Sequence, residues 1–345
     1  MAEATEQIVL DFFNYPSVGE EDWGYAYATA YVRSLAINML TRATLLDMAN
    51  SVGFEQAVDL LASSEYGLGP GQKTISELEK LLKQRRSEVR GLFADLIINE
   101  AVVDVFKSRD DFANMRLALR RKLTDKAIGS DYSDEGSVGA EQFEQIFEEE
   151  NYEPLPNYMK EALERAVLAY YQNKDVRQID HAIDGYEAEF KIASAKQLES
   201  DFLLEYFRME IDLTNIRTML RLKFTEAERR DVFLEGGYVE HERLKHGLDI
   251  GYEAIAPLFF ATPYHSVVEA GIIYFNSDKS FIELEQHCED HLTGYLKSTV
   301  QITAGPQPLI AYLLMKEHEI RTVRFILTAK KNSLDTRIII DRLSE

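Results

Sequence analysis

The side chains of this sequence that could perform chemistry fall into short clusters, and each cluster lacks a member that its chemistry needs. The run Asp131 to Gln142 resembles a calcium loop, with Asp131, Ser133, Glu135, Gly136 and Val138 near ligand positions. Its closing position is Gln142, whose neutral amide cannot supply the two charged oxygens that a bidentate glutamate would, so an acidic linker is the simpler reading. Gly67 to Thr74 has the glycines of a phosphate loop, but Gln72 separates Gly71 from Lys73 and a helical segment precedes it. His287 and His291, flanking Cys288, have zinc spacing on one helical face, yet no third ligand is in view among Glu283, Glu285, Glu289 and Asp290. In His241 to His246, Lys245 occupies the place of a zinc protease's second histidine. Asp110–Asp111 lacks the further aspartate of a magnesium–diphosphate site. No nucleophile, base and orienting acid stand at motif spacing, so no catalytic, cofactor-binding or metal-binding residue is expected.

What does recur is a helix. Asp212 to Lys223 (DLTNIRTMLRLK) carries Leu213, Ile216 and Leu220 on one stripe. The same text returns at Asp111 to Lys122 and at Glu319 to Lys330, with a looser copy from Ala30, so that Arg33, Arg116, Arg217 and Arg324 share one register. Four arginines in register invite an anion-binding ring. The reading favoured here is structural: each lies at the edge of its stripe, where its stem covers a neighbouring helix and its head pairs with acids.

A second unit alternates with these helices. Gly53 to Tyr66, Gly139 to Tyr152 and Gly251 to Tyr264 align without a gap, each with an acid two positions in (Glu55, Glu141, Glu253) and a closing tyrosine (Tyr66, Tyr152, Tyr264). Between them, helical periodicity covers 24–48, 75–106, 110–123, 140–150, 157–172, 178–224, 252–260, 280–299 and 308–330, and few alternating β-branched runs are visible. The expected fold is therefore all-α: three similar helical modules, 1–126, 127–225 and 226–345, in a pseudo-threefold arrangement that forms a funnel.

The 345 residues carry a formal charge of −21, which disfavours nucleic acid and anionic membrane surfaces as ligands. Two stretches, Met1 to Trp23 and Gly129 to Pro156, have no lysine or arginine and read as solvated faces or as docking surface for basic partners. The lone Cys288 excludes an internal disulfide. The N-terminus, with Glu3, Glu6 and Asp11, is unlike a signal peptide, and no apolar run approaches a bilayer span of about 20 residues.

Three blocks, in this order, carry a family resemblance: YVRSLAINMLTRATLLDMAN with GFEQAVDLLASSEYG, then EIDLTNIRTMLRLKF with FLEGGYVEHERL, then LLMKEHEIRTVRFILTAKKN. Together they resemble the C subunit of bacterial and archaeal V-type (A-type) ATPases, the counterpart of the eukaryotic V-ATPase d subunit. The resemblance implies a non-catalytic central-stalk (rotor) component, a socket that receives the shaft subunits (D and F type) and sits on the proteolipid rotor ring. It also implies a cytoplasmic, peripheral position on the membrane, and a monomer within the larger complex that transmits torque for ion transport. The other readings are a soluble helical interaction scaffold outside rotary ATPases and, further off, a metal-dependent helical enzyme.

Overall fold

The structure, a computed structural model, describes residues 15–69, 71–124, 131–226 and 232–343. Glu3, Glu6 and Asp11, and Gly129 at the start of the acidic linker, lie outside these ranges. The described residues are helical throughout their regular elements, with no strand among them, so the fold is all-α as expected.

The chain divides into two compact units, one built from 1–98 and 242–345 and the other from 99–241. The three modules of the sequence cut the chain at other places, after 126 and after 225, and describe repetition of text rather than these units of packing. In the first unit lie α1 (Ala26–Ala36), α2 (Arg42–Asn50), α3 (Phe54–Asp59) and α4 (Ile75–Leu96). The second contains α5 (Glu100–Leu123), α6 (Ala140–Glu149), α7 (Asn157–Asn173), α8 (Arg177–Gln197) and α9 (Asp201–Phe224). The chain then returns to the first through α10 (His241–Asp249), α11 (Tyr252–Leu258), α12 (His265–Asp278), α13 (Ile282–Ser298), α14 (Pro306–Lys331) and α15 (Thr336–Ile340).

Several boundaries fall inside stretches whose periodicity runs on unbroken. Thr41, Asn99 and Ser200 each accept a backbone N–H of the helix that follows, from Thr44, Ala101 and Leu203 respectively, and so start α2, α5 and α9. These caps split 24–48, 75–106 and 178–224, which periodicity alone reads as continuous, while 75–106 and 110–123 overlap a single helix, α5. Helix α12 falls outside the stretches that periodicity picks out. Val267, Val268, Ile272 and Phe275 bury most of its circumference, which leaves little alternation to read. Three helices end on non-glycine residues in the left-handed region, Glu150, Lys174 and Lys279, with φ of 56°, 53° and 53°.

In the second unit the core gathers Phe112, Met115 and Leu119 of α5 with Phe143 and Phe147 of α6, Met159 of α7, and Ile179 and Ile183 of α8. One core of the first unit joins Met48, Phe54, Val58 and Leu61 to Leu78 and Leu82 of α4 and to Ile320, Val323 and Leu327 of α14. The stripes read from the recurring helices are thus buried: Phe112, Leu213, Ile216 and Val323 have no measurable exposure and Ile320 has 2%. A Leu, Ile or Phe so buried contributes about 1.5–3 kcal/mol relative to leaving it in water.

Candidate functional site

The recurring helices α5, α9 and α14 each present a buried acid at the first position of the repeated text. Asp111 and Asp212 are wholly buried and Glu319 is 5% exposed. A carboxylate is tolerated there only if its oxygens are satisfied, and each is used to fasten a loop. In the α5 copy, Asp111 Oδ1 accepts from Ser137 N (2.9 Å), the Val138 backbone also donates to the carboxylate, and Oδ2 accepts from the Tyr158 hydroxyl (2.5 Å). In the α9 copy, Asp212 accepts from Tyr238 N (3.0 Å) and Val239 N (2.9 Å). In the α14 copy, Glu319 accepts from Leu40 N (2.5 Å) and from the Tyr66 hydroxyl (2.6 Å), and pairs with Lys316 (2.5 Å). Leu40, Val138 and Val239 each lie two residues before a short helix, α2, α6 or α10, so all three carboxylates sit where the helix dipole favours negative charge.

An asparagine one turn further on completes the fastening in two copies. Asn114 exchanges two hydrogen bonds with the backbone of Ser133 (2.9 and 2.8 Å), and Asn215 does the same with Leu234 (2.9 and 2.8 Å). Every partner in the second set lies 101 positions after its counterpart: Asp111 and Asp212, Asn114 and Asn215, Ser133 and Leu234, Val138 and Val239. The same offset links Gly136 and Gly237. A Cβ on either would collide with the aspartate Oδ1, so the loop lies against the carboxylate only because no side chain intervenes. In the α14 copy Thr322 replaces the asparagine, and its hydroxyl donates to His318 O within its own helix (3.0 Å).

Sequence reasoning placed Asp111, Asp212 and Glu319 at the head of the repeats but did not single out Asn114, Asn215, Gly136 or Gly237. The signal that finds them is D-x-x-N-x-R followed at constant distance by a glycine and, two residues later, a valine.

The arginines of the repeat take different partners. Arg116 reaches Asp184 and Glu187 of α8 (2.5 Å each), and Arg324 pairs with Glu79 of α4 (3.0 Å). Arg217 donates to Leu213 O (3.2 Å) and to the Thr214 hydroxyl (3.1 Å) on its own helix. Arg33 donates to the carbonyls of Val300 (3.1 Å) and Ile302, and α1 carries no buried acid at its head. The tyrosines also diverge. Tyr66 binds Glu319, Tyr152 accepts from Lys122 Nζ (3.0 Å), and Tyr264 is buried with its ring against His291 (5.2 Å). Glu55, Glu141 and Glu253 each stand second in a helix, α3, α6 and α11, whose glycine N-cap offers no side chain. The three glycine units therefore share a local role, but Gly139 follows its fastened loop directly, whereas Gly53 and Gly251 follow an intervening helix of nine residues.

Around Arg116 runs a buried network: Glu187 meets Lys191 (2.9 Å), and Lys191 meets Glu210 of α9 (3.0 Å). Burial alone would push Glu187 up, but Lys191 and Arg116 beside it hold its carboxyl at about 2. At Asp111 burial prevails over the hydrogen bonds and its carboxyl is raised.

The clusters that looked like sites have structural partners. Asp131 pairs with Arg121 (2.7 Å), and Asp134 accepts from Ala140 N (3.1 Å), capping α6. Lys73 meets Asp59 (2.5 Å) and Thr74 caps α4. His291 packs between Tyr15 and Tyr264, and burial lowers its imidazole to about 4. His241 approaches Glu235 (3.3 Å). No group of three or more candidate metal ligands occurs among the described residues.

An all-α chain fastened in register at three helices is a repeat protein in which the named side chains hold backbone. Residues 28–342 match the family model of the ATP synthase (C/AC39) subunit, and the chain belongs to that family. Among its relatives are the C subunit of the A-type ATP synthase of Methanococcoides burtonii, 23% identical over 92% of this chain and 94% of that one, and the C subunit of the V-type ATP synthase of Thermus thermophilus, 23% identical over 89% and 94%. The C subunit of the V-type sodium ATPase of Enterococcus hirae is 21% identical over 91% and 96%. No helix among the described residues is long and apolar enough to cross a membrane.

Proposed function

We propose that this chain is a non-catalytic rotor component of a V/A-type ATPase, a socket that couples the central shaft to the proteolipid ring from the cytoplasmic face. The observation that carries the proposal is the family match over 28–342, with relatives named as C subunits that are covered almost end to end. The fastened helices support it physically. A part that transmits torque must not yield at its joints, and buried carboxylates, asparagine pairs and the Arg116 network all resist bending of loops against helices. On this reading the three modules stand in a pseudo-threefold funnel, the repeat arginines and tyrosines are framework, and the chain performs no chemistry and binds no cofactor.

A socket with three modules cannot match a ring of many identical subunits residue for residue, so docking is polar, wet and sensitive to salt. The test is capture of the full-length chain, a monomer on gel filtration, by purified shaft subunits and by detergent-solubilised ring, repeated at rising ionic strength. Binding that weakens with salt is expected. A chain that neither partner captures, and that stays soluble in cells containing the intact ATPase, overturns the proposal.

A further inference from the structure

The first unit carries an exposed apolar ridge that its own packing leaves uncovered. Tyr27 and Tyr31 stack one turn apart on α1 (6.1 Å between ring centroids, planes 6° apart), with Tyr27 76% exposed. Trp23, one turn earlier, is 65% exposed and Ile37, just past the helix, 83%. From Trp23 to Ile37 the ridge is roughly 20 Å long at helical rise, the length of three to four turns of a partner helix. Along its shoulder lies a pocket of about 210 Å³ between α1 and the end of α13, walled by Val32, Val300, Tyr312 and Met315. Val300 is itself 74% exposed, so apolar surface continues from the ridge across the pocket mouth.

Two cations stand at this pocket, Arg33 and Lys297. Arg33 spends its hydrogen bonds on carbonyls, and neither residue makes an ion pair with a carboxylate among the described residues. That is unusual company in a chain of charge −21, in which Arg116, Lys191, Lys316 and Arg342 are all paired. The local sign therefore opposes the overall one. An occupant must bring apolar side chains in a line and negative charge at one flank.

We infer that the α1 ridge and its pocket are the seat of an amphipathic helix from a protein partner, whose apolar stripe covers Tyr27, Tyr31 and Ile37 and whose acidic flank meets Arg33 and Lys297. A line of apolar knobs along one helix, with a pocket able to take a large side chain, suits helix-on-helix docking. The inference does not depend on which complex supplies the helix, and it stands or falls apart from the rotor assignment.

Trp23 is the only tryptophan and reports on the ridge directly. The full-length chain is titrated with a synthetic helix of about 18 residues, leucines at i, i+3, i+4 and i+7 with glutamates on the flanks, and with its lysine-flanked counterpart. A saturable blue shift with the glutamate peptide, about tenfold tighter than with the lysine peptide, is expected. Lys297→Glu, at an exposed position with no ion-pair partner among the described residues, should reverse that preference, and Ile37→Asp should abolish the shift with both peptides. Equal binding of the two peptides, an unchanged preference in Lys297→Glu, or no saturable shift overturns the inference. A shift produced by anionic phosphatidylglycerol vesicles and by neither peptide overturns it in favour of a lipid surface.

Discussion

The loops fastened by α5 and α9 and the loop fastened by α14 solve one problem with different chemistry. In the second unit an aspartate, an asparagine and a glycine act together: the short carboxylate reaches the loop only because Gly136 or Gly237 lets the backbone approach. In the first unit the longer Glu319 reaches Leu40 unaided. Asn38, the position matching Gly136, needs no glycine, and Tyr66 and Lys316 take up the remaining charge. What repeats is thus a joint rather than a set of residues, and the aspartate version depends more heavily on each of its members.

The sharpest way to break the comparison is Asp212→Ala. It leaves the N–H groups of Tyr238 and Val239 without their acceptor and should cost about 3–5 kcal/mol by chemical denaturation, with hydrogen exchange rising first in 232–241. Asp212→Asn should recover much of the loss, since one amide oxygen still accepts. Next in size is Gly136→Ala, which forces a Cβ into the Asp111 carboxylate and should cost about 1–3 kcal/mol, whereas Asn38→Ala in the Glu319 joint should fall within about 0.5 kcal/mol.

Acid sharpens the same contrast. Glu187 has a depressed folded-state pKa, so its contribution is fully present above its unfolded value near 4.5 and is lost as pH falls toward about 2. Asp111 is raised and contributes in the opposite sense, favouring the folded state as it protonates. Arg116→Ala should lower stability at neutral pH and flatten the decline between about pH 4.5 and pH 2, read from melting curves across that range. The smallest effect expected is Arg324→Ala: its pair with Glu79 is partly exposed on both sides and should contribute about 0–1 kcal/mol.

Much of this was legible in the sequence, and the parts that were not have physical causes. The apolar stripes through Phe112, Leu213 and Ile320 are visible because burial imposes a period on residue type. Asp111, Asp212 and Glu319 are visible as recurring acids, but their burial is not, since a carboxylate at the edge of a stripe reads as solvated until its N–H donors are located. Those donors lie about 20 to 30 residues away in two copies and, for Glu319, 279 positions away at Leu40. The breaks at Thr41, Asn99 and Ser200 escape for another reason. A single hydroxyl or amide redirects the chain while the apolar periodicity on both sides continues in phase.

The bond from Tyr66 to Glu319 spans 253 positions and sets an order of events during synthesis. Residues 99–241 are contiguous, and once they have left the ribosome both of their joints can close. Residues 40–66 have to wait for α14, a delay on the order of 10 to 50 s at ordinary rates of elongation. Through that interval Phe54, Val58, Leu61 and Leu78, all of which end in the core that α14 completes, are without their final cover. The nascent chain is thus most in need of a chaperone at its first helices, and its last long helix is what ends that need.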